Sequence, residues 1–114
     1  MYRIRGSGYS KYRNQKTNGF DSKREAIRYQ ELNILVRKGV IQNLQKQVPF
    51  ELLEKTETER AIKYVADFYY YDKSYPSEQR RWVVEDVKGF RTQVYRIKRK
   101  LFKYKFPEIE FREI

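Results

Sequence analysis

Cysteine and histidine are both absent from the 114 residues. This excludes disulfide staples, thiolate nucleophiles, zinc fingers and any mechanism that uses imidazole as base or ligand. A metal in this chain has to be held by oxygen, a donor set that favours Mg²⁺ or Mn²⁺ over zinc. Long apolar runs are missing too. No stretch resembles a spanning helix, and Met1-Tyr2-Arg3-Ile4-Arg5-Gly6 lacks the apolar core of a signal peptide, so a cytoplasmic protein with no membrane partner is expected. The length leaves room for one domain with one modest core, so a single domain has to carry the function.

Acids are also scarce, 15 against 26 Lys and Arg, and the net charge of +11 is unevenly placed. Residues 1–30 carry eight basic residues against Asp21 and Glu25, and residues 80–105 carry ten against Glu85 and Asp86, while the middle is balanced. Clustered positive charge is the footprint of a polyanion binder, because neutralising phosphates releases condensed counterions. Nucleic acid is therefore the expected partner, with an anionic surface or a merely well-solvated face as the plainer alternatives.

Residues 1–20 show no periodicity and read as a basic N-terminal arm, in which Lys11, Arg13 and Lys16 with Tyr9 and Tyr12 offer charge and stacking surfaces to a nucleic acid. Residues 21–114 read as one domain. Asp21-Ser22-Lys23-Arg24-Glu25 opens a helix with capping-box spacing, and Lys38-Gly39 closes it. Its inner stripe is Tyr29, Leu32 and Val36, and one turn back that stripe reaches Glu25, either a cap or a residue at the edge of a site. Three strands are expected at Gln47 to Leu53, Ile62 to Tyr71 and Arg80 to Lys88, the last two joined as an antiparallel hairpin. A second helix spans Thr92 to about Tyr104, with Val94, Ile97, Leu101 and Tyr104 predicted inward. Its other side is cationic: Arg96, Lys100 and Lys103 form a row that Lys98 and Arg99 widen, and with Arg91 they are the expected phosphate contacts. A short last strand at Ile109 to Phe111 completes the order αβββαβ, an α/β (α+β) domain with a mixed central sheet flanked by helices.

The chemistry concentrates in Val83-Val84-Glu85-Asp86-Val87-Lys88-Gly89. On a strand, side chains alternate between faces, so Asp86 and Lys88 share a side with Trp82 and Val84, and Glu85 points away. The preceding strand carries one carboxylate, Asp67, in Tyr64-Val65-Ala66-Asp67-Phe68-Tyr69-Tyr70. Two carboxylates and a lysine can hold Mg²⁺ and activate water. The duller readings are a surface ion pair between Asp86 and Lys88, and an Asp67 that only satisfies backbone N–H groups at a sheet edge.

This pattern resembles the PD-(D/E)XK nuclease superfamily, whose restriction-endonuclease-like core has the same αβββαβ order. Asp67 matches the first acid on the second core strand, Asp86-Val87-Lys88 the (D/E)-X-K element on the third, and Glu25 the acid that Holliday junction resolvases and others supply from the first helix. Phe20-Asp21-Ser22-Lys23-Arg24-Glu25-Ala26, Gln47-Val48-Pro49-Phe50, Ala66-Asp67-Phe68 and Glu85-Asp86-Val87-Lys88-Gly89 also resemble a group of small phage and prophage proteins across nearly the whole domain. Ala66 stands where the superfamily's name-giving proline would be, and Asp86 replaces the commoner glutamate.

The resemblance implies a Mg²⁺- or Mn²⁺-dependent endonuclease acting on DNA in a bacterial host. Asp67, Asp86, the Val87 carbonyl and Glu25 would be metal ligands, Lys88 would act on the attacking water, and the products would be a 5′-phosphate and a 3′-hydroxyl. So short a chain has little material for base readout, so a structure-selective enzyme of phage recombination or replication, resolving branched DNA as a two-fold homodimer, is the expected activity. The alternative from another class is a non-catalytic nucleic-acid-binding module, its aromatic residues stacking on bases.

Overall fold

The computed structural model describes residues 15–74, 76, 81–87 and 90–114, with side chains from residue 22 onward. Its elements are α1 (Gln15–Arg37), β1 (Ile41–Leu53), β2 (Ile62–Asp72), β3 (Trp82–Asp86), α2 (Gln93–Lys105) and β4 (Glu110–Glu113). The strands form one mixed sheet in the order β1-β2-β3-β4, antiparallel except for the parallel pair β3 and β4. The result is an α+β domain of αβββαβ order, as expected. Among the described residues no helix is long and apolar enough to cross a membrane.

The first helix starts earlier than the capping-box spacing implies. Because α1 begins at Gln15, Ser22 and Glu25 lie inside it, and residues 15–20 of the expected arm are helical. Lys11 and Arg13 lie outside the described residues, and for Lys16 only the helical backbone is described. The other end behaves as read: Gly39 takes φ 76°, Val40 N–H reaches the Leu35 carbonyl and Gly39 N–H the Val36 carbonyl, which closes the helix in a Schellman turn.

Two clusters cover the two faces of the sheet. On one, Leu32 of α1 packs with Ile41, Phe68, Tyr70, Val83 and Val87. On the other, Tyr95 and Phe102 of α2 pack with Leu52, Tyr64, Ala66 and Val84. The Phe102 ring meets Phe50 at 5.0 Å, Phe106 at 5.0 Å, Tyr64 at 5.5 Å and Phe111 at 5.6 Å. The expected inner face of α2 is thus corrected: Val94, Ile97 and Tyr104 are 62%, 58% and 87% exposed, and only Leu101 of that stripe is partly covered.

The edge strand β1 and its neighbour β2 depart from regular alternation at the same place. Strict alternation would put Tyr64, Ala66, Phe68 and Tyr70 on one side, yet the first two belong to the α2 cluster and the last two to the α1 cluster. The reversal falls at Asp67. Opposite it in the register, between the pairs Lys46/Phe68 and Val48/Ala66, stands Gln47 with φ 54°.

Candidate active site

Asp67 sits where β2 and β3 part. The ladder between these strands ends at the pair Phe68/Glu85. Just past it, Val87 N–H donates to Asp67 Oδ2 at 2.7 Å, so a side chain takes the backbone donor that the missing ladder no longer serves. Asp67 therefore does satisfy a backbone N–H at a strand end. Its second oxygen faces a different neighbour: the Gln47 side chain donates from Nε2 to Asp67 Oδ1 at 3.3 Å and to Glu25 Oε2 at 3.0 Å. One carboxamide thus ties α1, β1 and β2 together at their carboxylates. Ser22, Glu25, Ala26, Tyr29, Lys46 and Gln47 are among the residues lining the groove beside them, about 390 Å³ in volume. Lys46 Nζ lies 4.4 Å from the centroid of the Tyr29 ring.

Asp86 is 2% exposed and turns to the α2 side, where the Tyr64 hydroxyl donates to its Oδ2 at 2.5 Å. Burial, and then the charge of Asp86, push the Tyr64 hydroxyl well above the ordinary phenol range, so it remains a donor. Asp67 reaches the end of β3 through the Val87 N–H, one residue beyond Asp86. A recess of about 270 Å³ opens over Asp86, walled by Tyr64, Val65, Thr92, Val94, Tyr95 and Lys98. The Thr92 side chain caps α2 by accepting from Tyr95 N–H at 3.0 Å, which fixes the wall of that recess.

Alternation selects Asp86 over Glu85, and the two side chains do diverge. Glu85, fully buried, faces α1, where Arg28 donates from Nε to Oε1 at 2.8 Å and from Nη2 to Oε2 at 2.6 Å, and the Tyr70 hydroxyl also donates to Oε2. The hydrogen bonds to Glu85 raise the Arg28 guanidinium above its ordinary range, and burial followed by the Glu85 charge raises Tyr70. Arg112 extends this network to Tyr70 and Asp72.

The expected phosphate contacts divide. Arg96 and Lys100 stand exposed along α2, Lys103 is exposed with its Nζ 5.7 Å from the centroid of the Phe111 ring, and Lys98 is half-buried in the recess over Asp86. Arg91 and Arg99 instead direct their guanidinium groups at Glu113, at 3.0 and 2.9 Å, and the Tyr95 hydroxyl donates to the same carboxylate at 2.5 Å. Hydrogen bonding from Arg91 in the first place holds Glu113 down at about 2. Lys88 and Gly89 lie outside the described residues. Gln47, Tyr64, Arg28 and Glu113 were not expected at or around the site. Nothing in a glutamine that follows Gln42 and Gln45 in the polar first half of β1 marks it, since the left-handed backbone that aims it is usually signalled by glycine or asparagine.

Among the described residues no group of three or more carboxylates is gathered closely enough to hold a metal ion by itself. The donor chemistry nevertheless fits a hard cation. Mg²⁺ is commonly held by one or two carboxylates with water and substrate phosphate completing its shell, and Glu25 and Asp67 are already drawn onto one donor group.

Fold and site together define an α+β domain of αβββαβ order that presents acids where its second and third strands part. Residues 9–114 match the family described as protein of unknown function (DUF1064), and the chain belongs to that family. No curated protein and no solved structure matches it.

Proposed function

We propose that this protein is a Mg²⁺- or Mn²⁺-dependent endodeoxyribonuclease of the PD-(D/E)XK kind, selective for branched DNA in the manner of a Holliday junction resolvase. The observation that carries this reading is the convergence at the strand parting: Glu25 and Asp67 share one carboxamide, and Asp67 accepts the amide of the residue that follows Asp86. Asp67 and Asp86, with the Val87 carbonyl, hold the cation, and Glu25 adds a ligand from α1. When bound, the cation polarises the scissile phosphate and lowers the pKa of a coordinated water. Lys88 orients the attacking water or takes its proton, and it lends positive charge to the phosphorane-like transition state. Arg96, Lys98, Lys100 and Lys103 position the phosphate backbone along α2. Two symmetric cuts in a junction require two sites, so the reading carries with it a two-fold homodimer. It also carries a setting in the cytoplasm of a bacterial host, with a phage or prophage origin.

The test is cleavage of labelled four-way junction, flap, single-stranded and duplex DNA with Mg²⁺, Mn²⁺ or EDTA, beside Asp86→Asn. Removing an outer-shell partner of a metal costs roughly 10- to 100-fold, so loss of a direct ligand should lower cutting by more than about 100-fold while DNA binding persists. Tight binding without cleavage under either metal would replace this reading with the non-catalytic binding module.

A further inference from the structure

We propose that Gln47 is the positioning residue of this site. Its carboxamide holds Glu25 and Asp67 converged in the metal-free protein, then turns its oxygen inward as a ligand when a divalent cation enters. The proposal rests on the nuclease reading above, and it concerns a residue that neither the αβββαβ order nor the (D/E)-X-K element singles out.

Two carboxylates brought to one point repel each other, and N–H donors placed between them offset part of that repulsion. Gln47 Nε2 fills that position, with its two N–H bonds shared between Glu25 at 3.0 Å and Asp67 at 3.3 Å. An amide N–H₂ is a weak substitute for a cation, so it keeps the acids together without competing strongly for them.

Gln47 adopts φ 54°, a left-handed conformation that is strained for a side-chain-bearing residue. A glycine would turn β1 at this point at lower cost, so what a glutamine adds here is its side chain. The turn coincides with the reversal of β2 at Asp67, directly opposite in the register. Both strands therefore bring these two side chains to the groove that Glu25 lines.

A carboxamide carries donor and acceptor at opposite positions, and half a turn about its last side-chain bond exchanges them. With the nitrogen inward it complements two anions. With the oxygen inward it joins two carboxylate oxygens in the all-oxygen shell that Mg²⁺ and Mn²⁺ accept. Gln47 is exposed, so a hydrated ion reaches it without any rearrangement of the core.

The experiment measures Mn²⁺ affinity by calorimetry and by electron paramagnetic resonance for wild type, Gln47→Gly, Gln47→Asn and Asp67→Asn, with urea midpoints recorded alongside. Glycine and asparagine both tolerate the left-handed backbone, so the strands keep their turn. In parallel, the side-chain amide resonances of ¹⁵N-labelled wild type are followed during Mg²⁺ titration. We expect both Gln47 variants to bind Mn²⁺ about tenfold or more weakly, with urea midpoints close to wild type, and the Gln47 amide resonances to move saturably with Mg²⁺. Unchanged affinity in both Gln47 variants, or an amide that Mg²⁺ does not move, would overturn the proposal. If Asp67→Asn abolished binding in that same experiment, the nuclease reading would stand. A wild type that binds neither metal would sink both.

Discussion

Glu85 and Asp86 are adjacent in β3 and almost equally buried, yet the two faces of the sheet treat them differently. On the α1 side Glu85 meets a full cation, with two Arg28 bonds and a tyrosine hydroxyl closing its lone pairs. On the α2 side Asp86 meets a neutral hydroxyl from Tyr64, beside a recess that Lys98 and Tyr95 help to wall. A buried charge is tolerated only when compensated, so Glu85 is committed to holding α1 against the sheet. Asp86 borders the recess beside α2, where a cation can approach it. The lesson is that burial alone does not separate a structural acid from a chemical one. What it borders does, the Arg28 guanidinium for Glu85 and an open recess for Asp86.

The sharpest way to break this comparison is Glu85→Ala. Removing one member of a buried, hydrogen-bonded ion pair leaves Arg28 without its main partner and opens a space beside Tyr70, for an expected loss of about 3–5 kcal/mol in urea unfolding. Asp86→Asn preserves volume and can still accept from Tyr64, so it should unfold close to wild type. Equal losses from the two substitutions would remove the distinction between the faces.

A smaller effect sharpens the same contrast. Tyr64→Phe deletes the hydroxyl donated to buried Asp86, and leaving a buried acceptor short of a donor costs about 1–3 kcal/mol. Tyr70→Phe removes a hydroxyl from Glu85 but leaves both Arg28 bonds in place, so its loss in the same urea experiment should be the lesser of the two. The reverse order would mean that Glu85, rather than Asp86, depends on its tyrosine.

Much of the architecture was legible because it follows from local patterns. The stripe Tyr29, Leu32 and Val36 follows the helical period and Gly39 closes the turn as glycine does, while the strand runs were read in the right order although β1 begins at Ile41, six residues before the expected Gln47. The separation of Asp86 from Glu85 follows from strand alternation. What the sequence could not disclose is where alternation fails. Tyr64 to Tyr70 reads as an unbroken strand, and no glycine or proline marks the reversal at Asp67 or the left-handed Gln47 opposite it. Gln47 was therefore invisible as a site residue, although Glu25 and Asp67, which it joins, were both named. The start of α1 was misplaced for a related reason, because Ser22 and Glu25 satisfy capping-box spacing inside a helix that starts at Gln15.

The inner face of α2 failed on competition between two stripes. Val94, Ile97, Leu101 and Tyr104 have helical spacing, and so do Tyr95, Phe102 and Phe106. The second set wins because rings of about 150–250 Å² each bury more area than aliphatic side chains and meet a matching aromatic wall of Phe50, Tyr64 and Phe111. The smallest expected effect tests this directly. Val94→Ser and Ile97→Ser remove side chains that already face water, so each should change the urea unfolding free energy by no more than about 0.5 kcal/mol. A loss above about 2 kcal/mol at either position is the signature of a filled core site, and it would mean that α2 packs through the stripe that periodicity alone predicts.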